Sequence, residues 1–137
     1  MSLKLRHTLS AIAIALALAA AGMNATAHHS FTATYFEDQT IEIEGKLLQF
    51  MFRNPHTFVH VEAPDETGQM QRWAVEWGGA GQLANQGVTS QTLRVGDIVK
   101  VTGNPGRDPA DHRIRMVYLE RSSDGFSWGR RPGETFN

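Results

Sequence analysis

Once the chain is cut after Ala27, five histidines remain: His28, His29, His56, His60 and His112. Neutral imidazole is the commonest side-chain ligand for transition metals near neutral pH, and nitrogen-rich sites favour copper most strongly among the divalent first-row ions. The cut is signalled by Ala25-Thr26-Ala27, a small-residue site of the kind that ends a secretory signal. It leaves His28 as the amino terminus. The free amine and the ring of His28 can then close a chelate on one ion, with a second imidazole from His29 beside it. A terminal amine has an ordinary pKa of about 7.7–8.0 and must lose its proton to bind, so affinity should rise with pH. The expected metal ligands are His28, His29, His56 and His60, and the expected ion is Cu(II).

Taken singly, these histidines read as ordinary surface side chains. His56 follows Asn54-Pro55 and caps a turn, while His60 stands half-exposed beside Phe58. Four positions apart in a strand, His56 and His60 point the same way but lie about 13 Å apart, so they share an ion only if the turn at Pro55 swings His56 inward. The terminal pair carries the metal expectation, because its chelate needs no folding.

Other chemistry is poorly represented. The chain has no cysteine, which removes thiolate metal sites and thiol catalysis. Glu62, Glu76, Asp97 and Asp108 show no pairing. No serine has a nucleophile-elbow context, and Gly78-Gly79-Ala80-Gly81 lacks the lysine and hydroxyl of a phosphate loop. A binding protein is therefore expected rather than an enzyme.

Export is read from three regions. Lys4 and Arg6 give a positive start, Ala11 to Ala21 is an apolar run of 11 residues, and the small-residue site follows. Such a run falls short of the roughly 20 residues a membrane-spanning helix needs, so no span is expected once residues 1–27 are removed as a signal peptide. Ala19-Ala20-Ala21 is a second acceptable site, and cutting there would leave Gly22 first. The location expected is periplasmic or secreted. Removal of 1–27 leaves 110 of 137 residues, with 11 basic against 14 acidic side chains, a formal charge of −3. That balance argues against nucleic acid as a partner.

The elements that must position these residues read as strands. In Thr40 to Arg53, Ile41, Ile43 and Leu47 alternate with Glu42, Glu44 and Lys46, and then the apolar register slips to Leu48, Phe50 and Phe52. A one-residue slip demands a bulge or sharp coil near Gly45 to Leu48. His56 to Glu62 resumes with Val59 and Val61 on one face. Asp65-Glu66-Thr67-Gly68 makes a hairpin turn, and Gln69 to Trp77 returns with Trp73, Val75 and Trp77 inward. A short helix falls in the glycine-rich stretch 78–87, followed by strands at Ile98 to Thr102 and Ile114 to Glu120. Three strands, a helical insert and two further strands is the order of a five-stranded OB-like Greek-key barrel, an all-β fold, with an open antiparallel sheet or small sandwich as the alternative. The expected domain is 28–120, with 121–137 an extended tail laid on it. Trp73, Trp77, Phe50, Phe52 and Phe58 offer either a stacking platform or core, and alternation with Val75 places both tryptophans in the core.

His28-His29-Ser30-Phe31, Asn54-Pro55-His56, Trp73-Ala74-Val75-Glu76 and the segment Leu93 to Gly103 together resemble a bacterial family of small exported proteins of unknown function. The likeness runs from His28 to about Glu120 and implies export and one compact β domain. Such proteins are expected to carry a tryptophan just before the Asn-Pro-His turn, where this chain has Phe52-Arg53. His28 is also similar, as a site and not as a fold, to the amino-terminal histidine brace of secreted copper proteins. Copper binding is the first functional expectation. The alternative is a metal-free OB-type module for a small molecule, a glycan or an envelope protein.

Overall fold

Strand β1 (Ile41–Met51) serves two neighbours in succession. Its first half pairs with β4 (Ile98–Pro105), from Ile41 opposite Gly103 to Lys46 opposite Ile98; its second half pairs with β2 (Phe58–Pro64), from Lys46 opposite Glu62 to Met51 opposite Phe58. The register breaks between Leu47 and Gln49, inside the stretch where the apolar pattern slips in the sequence. Such a bulge coils the strand and re-aims its side chains. Gly45 lies where β1 crosses β2, and a Cβ there would collide with the carbonyl oxygen of Glu62. Only glycine permits that approach.

The structure, a computed structural model, describes residues 31–134. The predicted signal peptide, His28 and His29 lie outside the described residues. The barrel belongs to the unit that begins at Thr34. The sheet order is β3-β2-β1-β4-β5-β6, with β3 (Met70–Glu76) also pairing in parallel with β5 (Arg113–Arg121) from Ala74 opposite Arg113 to Glu76 opposite Arg115. That pairing closes a five-stranded barrel of the OB type, with a sixth strand added at one edge. The short helix α1 (Ala80–Ala84) lies between β3 and β4. Among the described residues no helix is long and apolar enough to cross a membrane.

Period-two alternation fills the interior. Leu47, Val59, Val61, Val75, Val99, Val101, Ile114 and Leu119 are fully buried, and Trp73 and Trp77 join them, so both tryptophans are core. The Trp73 indole N–H donates to the Ala63 carbonyl oxygen at 3.2 Å. Within the segment read as an extended tail, Phe126–Gly129 forms β6 and pairs with β5 from Arg121 opposite Phe126 to Tyr118 opposite Gly129. Its Trp128 meets Trp77 edge-on, with ring centroids 4.9 Å apart.

Candidate functional site

The connection from β1 to β2, residues 52–57, carries Arg53 and His56 and is held from below by the glycine stretch. Thr57 is fully buried, its N–H donates to the Gly78 carbonyl at 3.0 Å, and its own carbonyl accepts from Trp77 N–H at 2.8 Å. The first turn of α1 has orphan N–H groups and no side-chain cap from Gly79. The connection supplies acceptors instead: Ala80 N–H donates to the Arg53 carbonyl at 3.1 Å and Gly81 N–H to Asn54 Oδ1 at 3.2 Å. The glycines therefore allow backbone contact with the 52–57 connection. The Asn54–Pro55 peptide is cis.

His56 leaves this connection toward Glu76. Its Nδ1 lies 2.9 Å from Glu76 Oε1. Glu76 sits near the end of β3, on the opposite face from Val75, yet it is almost wholly buried. Its second oxygen accepts from the Tyr35 hydroxyl at 2.5 Å and from Arg113 at 3.2 Å. Tyr35 arrives from the segment before β1, which is pinned by Phe36 N–H to the Pro105 carbonyl at 3.0 Å and Arg107 N–H to the Thr34 carbonyl at 2.8 Å. Three elements distant in sequence thus converge on one carboxylate. Burial, then the hydrogen bond to Glu76 and its charge, hold the Tyr35 phenol protonated far above the ordinary phenol range. A buried carboxylate with a neutral donor, a guanidinium and an imidazole is satisfied on both oxygens.

His60 lies on β2 opposite Ala74 and Gln49. Its Nδ1 is buried and has no hydrogen-bond partner among the described residues. Burial lowers its pKa, and the charge of nearby Arg72 lowers it further. His60 shares an open groove of about 390 Å³ with Arg53, Phe58, Asp111 and Arg113. His112 is elsewhere, at the end of the single-turn helix Pro109–Asp111, with its ring edge-on to Trp73 at 5.1 Å. Among the described residues no three His, Asp or Glu side chains gather as a metal site.

Of the expected ligands, then, His56 has a carboxylate partner, His60 lies in the groove, and His28 and His29 fall outside the described residues. The sequence reading missed Tyr35 and Arg113 altogether and treated Glu76 as one scattered acid. The signal was the placement of Glu76 between two core tryptophans, where a charge persists only if other elements bring partners to it.

Residues 15–115 match the model of a family of unknown function, DUF6152. No curated protein matches the chain. Among solved structures the chain is similar to the mitochondrial single-stranded DNA binding protein Rim1 of S. cerevisiae, at 15% identity and a TM-score of 0.39, covering 66% of this chain and 80% of that one. The expectation that nucleic acid is excluded as a partner is corrected against that match. Its physical weakness is plain in the barrel: net charge sums over the whole surface, whereas Arg53, Arg72 and Arg113 lie on or beside one groove.

Proposed function

The chain belongs to this family of unknown function, which carries no activity over to it, and we propose that it is an exported binding protein for a transition-metal ion, copper first. The proposed ligands at the mature terminus are the amine and imidazole of His28 and the imidazole of His29; within the barrel, His56 is the imidazole made suitable for ligation. The observation that carries this reading is the 2.9 Å contact between His56 Nδ1 and Glu76 Oε1. A carboxylate on one ring nitrogen fixes the tautomer that keeps the lone pair on the other, and this is the usual support behind a metal-bound histidine. Glu76 is itself fixed by Tyr35 and Arg113, so the ring it orients is preorganised. His60 is the weaker ligand, because burial and Arg72 both oppose added positive charge there.

The test is calorimetric titration of the processed protein, whose intact mass should begin at His28. Cu(II) should bind more tightly than Zn(II), and more weakly as pH falls from about 8 to 5, where amine and imidazoles hold their protons. A glycine added before His28 should cost at least about tenfold in affinity. His56→Ala should lower affinity and His112→Ala leave it unchanged. Equal binding by native and glycine-extended termini would remove the chelate and leave a metal-free binding module as the better reading.

A further inference from the structure

The groove on the β2–β3 face, between the 52–57 and 106–112 connections, contains polar groups that the fold does not use. Arg53 is exposed, its guanidinium sits 5.8 Å from the centroid of the Phe58 ring, and it has no ion-pair partner among the described residues. Across the groove Arg113 is tied to Glu76, whereas the Asp111 carboxylate has no hydrogen bond or ion pair among the described residues. Between them lies His60, whose Nδ1 is buried and has no hydrogen-bond partner among the described residues. A buried polar atom left unmatched costs free energy unless water or a ligand meets it.

From this combination we infer that the groove is a binding site for an acidic sugar, a hydroxylated ring bearing one carboxylate or phosphate. Each group has a distinct part. Arg53 pairs with the anionic substituent, for which its fork is well shaped. The Phe58 ring offers an apolar face to the C–H face of the sugar. Asp111 accepts from ring hydroxyls, which a purely aromatic anion lacks, and its negative charge repels a second anionic group. The groove volume of about 390 Å³ suits one sugar unit, within the usual size of small-molecule sites. Arg53 is held in place because the 52–57 connection is hydrogen-bonded to α1 and to Trp77 and Gly78, and Phe58 by the pairing of β2 with Met51 and Glu76.

This inference does not depend on copper, so it is tested on the chelator-treated full-length mature protein by titration with D-glucuronate, glucose, benzoate and oligothymidylate. Glucuronate should saturate, with glucose lacking the anion and benzoate lacking the hydroxyls at least about tenfold weaker. Arg53→Gln, at an exposed position, should reduce glucuronate affinity at least about tenfold without changing the melting temperature. Phe58→Ala should do so as well; if it fails to fold, Arg53→Gln and Asp111→Asn decide. Glucuronate that does not saturate, equal binding of glucose or benzoate, or indifference to Arg53→Gln would overturn the assignment. Tighter binding of oligothymidylate than of glucuronate would overturn it in favour of a strand-binding groove.

Discussion

Tyr35 and Glu76 are 41 positions apart in the chain, and the hydroxyl of one donates to the carboxylate of the other across 2.5 Å. The contact joins the segment before β1 to the end of β3, and Arg113 from β5 and His56 from the 52–57 connection complete the cluster. One carboxylate therefore links four parts of the barrel.

Removing that charge should be felt as stability. Glu76→Gln leaves Arg113 without its counter-ion and presents an amide N–H₂ toward groups that are themselves donors, a loss of about 2–4 kcal/mol. Tyr35→Phe deletes one hydrogen bond to a charged acceptor and should cost about 2 kcal/mol. Chemical denaturation of both proteins checks this. Because the two side chains touch, the double variant should lose less than the sum of the singles.

The same contact sets a response to alkali. The folded state holds the Tyr35 proton more tightly than the unfolded chain does, through burial, the Glu76 hydrogen bond and the Glu76 charge. Above the ordinary phenol pKa of about 10 the unfolded state binds fewer protons than the folded one, so stability falls as pH rises. Stability curves between about pH 9 and 12 should therefore drop more steeply for the native protein than for Tyr35→Phe. Parallel curves would mean that Tyr35 is not the protonated buried phenol.

How much of this was legible in the sequence depended on the range of the interaction. Alternation of period two is local, so Val59, Val61, Val99 and Val101 are correctly read as inward residues, and the slip after Leu47 reveals the bulge. The order of elements points to a barrel but leaves an open sheet or small sandwich as an alternative, and the parallel β3–β5 pairing is what closes it. The Tyr35–Glu76–Arg113 cluster had no local pattern, because its members come from three distant segments and only barrel closure through the β3–β5 pair brings Arg113 opposite Ala74. The stretch at 78 and 79 was legible as glycine-rich, but the need for glycine at 79 depends on the 52–57 connection, whose Pro55 carbonyl lies against it.

His60 should respond in acid, with the opposite sign. Its pKa is lowered by burial first and by Arg72 second, so the unfolded chain takes up a proton that the folded protein resists. The contribution is fully present above the ordinary histidine pKa of about 6.5 and is lost as pH falls below it. Proton NMR titration should place His60 below that value. Arg72→Gln should move its midpoint upward, since one of the two causes is then removed. A midpoint unchanged by that substitution would leave burial as the sole cause.

Two glycines near α1 should behave differently when replaced by alanine. A Cβ at Gly79 would stand 2.7 Å from the Pro55 carbonyl oxygen and 2.9 Å from Asn54 Oδ1, so the 52–57 connection must shift to admit it. At Gly81 the nearest atom to a new Cβ is 3.9 Å away, which is ordinary contact. Gly79→Ala should cost about 1–3 kcal/mol by overpacking. Gly81→Ala should be neutral or stabilise by up to about 1 kcal/mol, because alanine loses less backbone freedom in a helix. The 52–57 connection carries both Arg53 and His56, so Gly79→Ala should also weaken copper and glucuronate binding, whereas Gly81→Ala should spare both. Thermal melts with the two titrations separate the outcomes: a destabilised Gly79→Ala protein with native affinities would show that the connection is needed for the fold and does not position the ligands.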